Sequence, residues 1–211
     1  MWKYHPLFVK IVLVVNGGGC EVTGYLLGIL GFICFYIFDV FSMHNRKRLK
    51  YVFLLFGLTM LGVGSVLAFG GEPSFSLHVG VRILFAILTI LFLFLLYYSV
   101  VMEVGKNTYQ YNNVPKLVTS GTYALSRHPG VLWLFGFYFA LGLTFESIGL
   151  LIASFVFTVV NVVYVYLQER FIFIHIFKEY PTYQQQTPFI LPNRKSFRTF
   201  IDNIQMEERN T

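Results

Sequence analysis

The chain has 211 residues, of which 56% are hydrophobic, 19% aromatic and only 12% charged, and its formal net charge is +6. This composition excludes an ordinary soluble domain and indicates an integral membrane protein. Attraction to anionic lipid headgroups accounts for the positive charge, so we expect a membrane partner and no nucleic acid. No metal site is expected, because the chain has only two cysteines and Cys34 lies within an apolar stretch.

Residues 1–211 are predicted to form one all-α membrane domain. At the start, the nine-residue run "LFVKIVLVV" contains Lys10 and is too short for a signal peptide, so 1–21 is predicted to be an interfacial or re-entrant segment. Residues 22–113 contain three apolar stretches of about 20 residues, enough for helices across a hydrocarbon core of about 30 Å. These predicted spans cover residues 22–43, 51–70 and 78–102.

Two further apolar stretches lie in the region 114–192. They cover 130–145 and 148–167, and the short turn at 144–147 predicts that they form a helical hairpin. The sequence thus indicates a bundle of about five transmembrane helices with a cytoplasmic C-terminal helical cap, followed by a polar tail at 193–211.

Small residues and charges give two further expectations for the spans. Gly24 and Gly28 share one face of the first span, and Gly57 and Gly64 are similarly placed in the second, which predicts close helix packing. Asp39 and Glu103 lie near the polar ends of their spans. We expect these carboxylates to reach interfacial water or to pair with Arg46 and Lys106, the nearest basic residues.

The basic residues predict the orientation in the membrane, because Lys and Arg near membrane ends remain on the cytoplasmic side. They occur in alternate connections and after the last span, whereas the loops at 71–77 and 144–147 contain none. The N-terminus should therefore be outside and the C-terminus cytoplasmic, in a bacterial plasma membrane or the endoplasmic reticulum. These basic residues are Arg46, Lys47, Arg48, Lys50, Lys106, Lys116, Arg127, Arg170, Lys178, Arg194, Lys195 and Arg198.

The segment "KLVTSGTYALSRHPG" precedes the fourth span and has the residues of a helix start. Gly121 permits a turn, Pro129 suits the first helical position, and His128 is then the predicted N-cap. Helix N-termini attract anions through free N–H groups and the helix dipole. With Arg127 and His128 as additional donors, this segment is predicted to bind a carboxylate or phosphate.

The segment "LQERFIFIHIFKEYPTYQQQTPFILP" continues the fifth span, with Glu169 and Arg170 at its membrane exit. A carboxylate there can hold an ammonium or sulfonium group, and the rings of Tyr166, Tyr180 and Tyr183 can face a cation. The residues alone favour an ordinary helix end, in which Glu169 pairs with a nearby basic residue and the tyrosines belong to the interface.

Taken in order, "LVTSGTY", "SRHP", the helical hairpin, "ER", "EYPTY" and "PFILP" resemble the membrane-bound methyltransferases of the isoprenylcysteine carboxyl methyltransferase and phospholipid N-methyltransferase type. The resemblance covers roughly residues 115–192. The positions that match are Leu117, Val118, Gly121, Tyr123, Arg127, His128, Pro129, Glu169, Tyr180 and Tyr183.

The resemblance implies methyl transfer from S-adenosylmethionine to a lipid or hydrophobic small-molecule acceptor, without an obligate protein partner. It implies catalytic roles for Arg127 and Glu169, with the cofactor's carboxylate at Arg127 and His128, its amino group at Glu169, and its adenine beside Leu117 and Val118. The full set of implied cofactor-binding residues is Leu117, Val118, Gly121, Tyr123, Arg127, His128, Pro129, Glu169 and Arg170.

Four positions depart from the family's pattern. Pro115 replaces a histidine, Val131 a tyrosine, Trp133 a glycine and Gln168 the first of two glutamates. Two alternatives therefore stay open. One is an NADPH-dependent sterol-type membrane reductase, although those usually follow their Arg-His pair with Asn-Tyr rather than Pro. The other is a non-enzymatic member that has kept the fold.

Overall fold

The computed structural model describes residues 19–44, 47–104 and 117–209, and all regular structure in these ranges is helical. The predicted all-α membrane bundle is therefore confirmed. The predicted interfacial start falls outside the described residues except for 19–21, which begin the first helix. The helices are α1 (Gly19–Met43), α2 (Lys47–Phe69), α3 (Val79–Tyr97), α4 (Thr122–Leu125), α5 (Pro129–Thr144), α6 (Ile148–Gln168), α7 (Ile174–Ile176), α8 (Tyr180–Gln186) and α9 (Arg194–Arg209).

Four helical stretches are long and apolar enough to cross a membrane, as judged by length and composition. They are Gly19–Met43, Arg48–Phe69, Val79–Glu103 and Ile148–Ile176. The fourth predicted span, α5, is apolar but has only 16 residues. Its length of about 24 Å is shorter than a hydrocarbon core of about 30 Å. The last span, by contrast, extends nine residues beyond the predicted end at 167, so Glu169 lies within it.

Close packing of α1 against α2 depends on the predicted glycines. A Cβ atom added to Gly24 would lie 2.6 Å from the carbonyl oxygen of Gly64, and one added to Gly64 would lie 2.6 Å from that of Gly24. Any side chain at either position would force the helices apart, which confirms the expected close approach. A Cβ at Gly28 would clash instead with the ring of Phe157 on α6.

The core of the bundle lies where α1, α2, α5 and α6 meet. Phe32, Tyr138 and Phe157 are buried there, and the Tyr138 ring packs edge-on against that of Phe157 with centroids 5.1 Å apart. The Tyr138 hydroxyl forms a 2.7 Å hydrogen bond with Ser65 Oγ on α2. The outward faces of the spans are apolar and exposed, as contact with lipid tails requires.

Two π-helical segments interrupt the regular helices at the end of the bundle that carries the polar segments. Tyr98–Glu103 follows α3, and Glu169–Phe173 joins α6 to α7. Such segments often occur at functional sites. Each one here places a buried glutamate, Glu103 or Glu169, against the segment between α3 and α5.

The predicted polar tail, 193–211, contains the helix α9, Arg194–Arg209. This helix packs against α4, next to the start of α5. The lack of a long apolar run hid the helix, since its apolar residues occupy only one side.

Candidate functional site

The segment leading to α5 is anchored by Glu103. The backbone N–H of Thr122 donates to Glu103 Oε1 at 2.8 Å, and the Thr122 hydroxyl donates to Oε2. Gly121 has a φ of 59°, and a Cβ there would clash with the same carboxylate. The expected pairing of Glu103 with Lys106 stays a prediction, because Lys106 lies outside the described residues. Among the described residues, Glu103 fixes the start of α4, and glycine alone fits the turn.

The predicted pair Arg127 and Glu169 is in direct contact at the other end of the same segment. Arg127 Nε lies 3.4 Å from Glu169 Oε1. His128 Nε2 lies 2.7 Å from the same oxygen. Only 6% of Glu169 is exposed, and His128 is also buried. The two polar segments therefore meet at one end of the bundle, around a single carboxylate.

His128 Nε2 is the donor in its hydrogen bond with Glu169, because an ionised carboxylate can only accept. Burial lowers the pKa of His128 below its usual value of 6.5, although the hydrogen bond and charge of Glu169 act in the opposite direction. His128 holds the predicted N-cap position of α5 but makes no side-chain cap there, since its ring is turned towards Glu169.

The C-terminal segment covers this cluster through backbone and side-chain contacts. The backbone N–H of Arg127 donates to the Pro188 carbonyl at 3.0 Å. The Tyr183 hydroxyl donates to the Tyr123 carbonyl at 2.6 Å. These bonds fix residues 180–190 over the segment 121–128.

Gln184 on α8 is a further partner of the carboxylate, and no sequence pattern indicated this role. Its Nε2 donates to Glu169 Oε2 at 2.9 Å. Both oxygens of Glu169 therefore accept hydrogen bonds within the protein. A bound ammonium group would have to bind alongside Gln184 or replace it.

Aromatic rings surround the cationic side of the cluster. The His128 ring stacks on Phe173 with centroids 6.2 Å apart and packs edge-on against Phe189 at 5.2 Å. The Arg127 guanidinium carbon lies 5.4 Å from the centroid of Phe189. The sequence instead suggested tyrosine faces, and one of these, Tyr166, is exposed on α6. Neither phenylalanine could be assigned from spacing, since both reach the site through tertiary packing.

Two buried polar atoms beside the carboxylate lack a hydrogen-bond partner among the described residues. They are Arg127 Nε, whose ion pair with Glu169 does not have hydrogen-bond geometry, and the Tyr180 hydroxyl. Tyr180 is only 1% exposed. Burial raises the pKa of the Tyr180 phenol, and a hydrogen-bond interaction with Glu169, together with the charge of that carboxylate, raises it further, so the hydroxyl stays protonated and interacts with Glu169. Buried donors without hydrogen-bond partners are rare in native proteins.

The remaining predicted residues lie at varying distances from this cluster. Val118 is buried and Leu117 partly buried in the extended stretch before α4. Pro129 is fully buried at the first position of α5, as predicted. Arg170 is exposed, and within the described ranges no polar contact joins its side chain to the cluster.

One departure from the family pattern, Gln168, has a structural explanation. Its Nε2 donates to Asp39 Oδ2 at 2.7 Å, and the Tyr164 hydroxyl donates to the same oxygen at 2.6 Å. A glutamate at 168 would place a second carboxylate against Asp39, whereas the amide supplies a donor. Asp39 was expected to reach water or pair with Arg46, which lies outside the described residues. It instead links α1 to α6.

The other departures lie in or before α5. Val131 is buried in its first turn, and the Trp133 ring stacks on Phe92 of α3 with centroids 6.5 Å apart. The Trp133 ring thus contributes to the contact between α3 and α5. Pro115 lies outside the described residues.

The fold and the cluster together define a helical membrane protein with a buried, partly unsatisfied ion-pair site at one end of its bundle. Comparison of the chain with protein-family models, curated proteins and solved structures finds no match. Among the described residues, no group of three or more His, Cys, Asp or Glu side chains is arranged to hold a metal ion.

Proposed function

We propose that this protein transfers a methyl group from S-adenosylmethionine to a lipid-borne or hydrophobic small-molecule acceptor at the cytoplasmic face of the membrane. The observation that carries the proposal is the buried contact between Arg127 and Glu169, with the buried Tyr180 hydroxyl beside it. The sequence resemblance over 115–192 supplies the reaction type, and the positive-inside distribution of basic residues supplies the cytoplasmic placement.

Charge complementarity supports an amino-acid head group as the ligand at this cluster. Such a group has one ammonium and one carboxylate, and the site has one carboxylate and one guanidinium side by side. Each ligand charge thus meets an opposite charge in a buried setting, where charge-assisted hydrogen bonds are strong. NADPH would instead bring several phosphate charges close to the buried Glu169 carboxylate, which disfavours the reductase alternative.

The roles follow from this pairing. Arg127 binds the cofactor's carboxylate, and the Tyr180 hydroxyl offers a further donor to it. Glu169 binds the amino group, with Gln184 yielding its place at Oε2. His128 keeps Glu169 oriented through its 2.7 Å hydrogen bond. Leu117 and Val118 supply apolar contacts for the adenine. When bound, S-adenosylmethionine supplies an activated methyl group on a sulfonium sulfur.

The contribution of the chain's own residues is mainly positioning. Holding two reactants in line can supply a large part of a rate enhancement without acid–base groups. The anchors at Glu103 and Glu169 fix both ends of the segment 121–128, so the residues that face the cofactor are held by the spans themselves. Glu169 lies within the last span, so a membrane-borne acceptor can approach from the side while the soluble cofactor approaches from water.

Ligand-dependent stabilisation in detergent tests the cofactor assignment. We expect S-adenosylmethionine to raise the midpoint of thermal unfolding, with a stabilisation of about 2.7 kcal/mol at a concentration 100-fold above Kd. Glu169→Gln removes the charge that holds the amino group, so its midpoint should not respond. Glu179→Gln, an exposed acid at the start of α8, is the matched control and should respond like wild type.

Two outcomes contradict the assignment. Stabilisation of wild type by NADPH and not by S-adenosylmethionine would favour the reductase alternative. An undiminished response of Glu169→Gln would remove Glu169 from the cofactor site. Because Glu169 is buried, Arg127→Lys serves as a second variant. It keeps the charge, loses the planar fork of donors, and should weaken binding without abolishing it.

A further inference from the structure

Helix α9 has a defined start and a fixed side against the bundle. The backbone N–H of Ser196 donates to Asn193 Oδ1 at 2.8 Å, and the backbone N–H of Asn193 donates to Ser196 Oγ at 3.0 Å. This reciprocal arrangement caps the helix N-terminus. Ser196 is buried, and α9 contacts α4. The side of α9 opposite Ser196 therefore faces away from the protein.

Large apolar side chains lie exposed along one edge of this helix. Phe197 is 54% exposed and Ile201, four residues on and hence on the same side, is 38% exposed. Leu191, just before the helix, is 75% exposed. Large apolar side chains are costly to leave in water.

Exposed cations border this apolar edge. Arg194 and Arg198 are four residues apart on the neighbouring stripe, and Lys195 is also exposed. Apolar side chains beside a basic stripe are typical of helices that lie in the membrane interface, with rings among the acyl chains and cations at the phosphates. The position of α9 agrees with an interfacial location. It packs on α4, which directly precedes the N-terminus of the membrane helix α5.

We propose that α9 is an interfacial helix that binds the anionic lipid surface at this end of the bundle. Phe197 and Ile201 insert among the upper acyl chains, while Arg194, Lys195 and Arg198 bind lipid phosphate groups. The apolar, lipid-facing surface of the spans then continues onto α9. This proposal does not rest on the methyl-transfer function, because it concerns only where the helix lies.

Depth measurements on the full chain test the proposal. Cys20→Ser and Cys34→Ser remove the native thiols, and a single fluorophore is attached at Ile201→Cys or, as the matched control, at Thr199→Cys, which is exposed on the opposite side of α9. Both proteins are reconstituted into vesicles of phosphatidylcholine with phosphatidylglycerol. We expect a spin-labelled lipid to quench the label at 201, and aqueous iodide to quench the label at 199.

Two results would overturn the proposal. One is equal iodide quenching at both positions, which means that α9 lies in water. The other is protection of position 201 from both iodide and spin-labelled lipid, which means that protein covers this edge.

Charge variants test the headgroup contact separately. Arg194→Gln with Arg198→Gln should shift the label at 201 towards iodide, by roughly fivefold in the buried-to-exposed ratio per charge removed. Arg48→Gln with Lys178→Gln removes two exposed charges elsewhere at this end and should cause little change. Replacing phosphatidylglycerol by phosphatidylcholine should have the same effect as the first pair. An unchanged ratio in both cases would contradict the role of anionic lipid.

Discussion

Glu169 connects more elements of the site than any other side chain described above. Its carboxylate accepts one hydrogen bond from His128 at the start of α5 and another from Gln184 on α8, and it forms an ion pair with Arg127. Burial of a carboxylate is costly unless its charge is paired and its oxygens accept hydrogen bonds. The contacts that offset the cost of burying the Glu169 carboxylate are also the contacts that hold the site together.

Removing one member of this cluster should therefore cost more than removing the charged pair. We predict that Glu169→Met lowers the free energy of unfolding by about 3–5 kcal/mol, because it leaves Arg127 buried without its counter-charge. The double variant Arg127→Met with Glu169→Met should be less destabilised than the sum of the two single variants. Unfolding in mixed detergent measures this cycle, and strict additivity would show that the ion pair contributes no coupling.

The lowered pKa of His128 leads us to predict that the stability of the protein depends on pH. Burial lowers its pKa in the folded protein below the value of 6.5. The unfolded chain therefore takes up a proton at higher pH than the folded one. The contribution of His128 to stability is complete above about pH 6.5 and is lost as the pH falls through the folded-state pKa.

A variant isolates this contribution. His128→Gln should show a weaker fall in unfolding midpoint between neutral and mildly acidic pH than wild type does. The exposed His175→Gln is the control, and its profile should match that of wild type. If His128→Gln and wild type lose stability in parallel as the pH is lowered, another group is responsible.

Gly121 gives a sharp conformational prediction. Gly121→Ala should destabilise by more than about 1 kcal/mol, because φ is positive and the new Cβ meets Glu103. Gly62→Ala on α2 is the matched control, since a Cβ there has open space. In a helix that change should be neutral or stabilising by about 0.5–1 kcal/mol. Equal effects of the two substitutions in a thermal unfolding assay would contradict the account of the turn.

At the scale of elements, α1 and α6 are joined by a polar contact inside an apolar interface. Asp39, Tyr164 and Gln168 share hydrogen bonds of 2.6 to 2.7 Å. We predict that Gln168→Glu lowers the unfolding midpoint, because it sets two carboxylates against each other. Asp39→Asn should restore much of the loss in the double variant. Wild-type stability of Gln168→Glu, or no rescue by Asp39→Asn, would show that the contact does not join the helices.

The elements also show what the sequence could and could not predict. Hydrophobic runs located the long helices within a few residues, and the glycine spacing predicted the close contact of α1 with α2. The π-helical segments were not predicted, because apolar composition does not record a change of hydrogen-bond pattern within a span. Gln184 and Phe189 reach the cluster only through the path of the C-terminal segment, which local patterns do not encode.

At the scale of the whole molecule, four long candidate spans and the short α5 carry the site at one end of the bundle. The prediction that the two polar segments meet was correct at the level of the Arg127–Glu169 contact. The Arg127 and Glu169 side chains lie too close together to bind opposite ends of one ligand without moving apart. The methyl-transfer proposal therefore requires a ligand head group to exchange the internal contacts of this closed cluster for its own.

The most direct test of the methyl-transfer proposal is transfer of a labelled methyl group. Purified protein is incubated with methyl-labelled S-adenosylmethionine and a total lipid and peptide extract, and the products are identified by mass spectrometry. The proposal predicts that wild type and Glu179→Gln add one methyl group to the same hydrophobic acceptor, and that Glu169→Gln does not. If wild type labels nothing and does not bind S-adenosylmethionine, the cluster is a structural ion pair and the proposed activity is wrong.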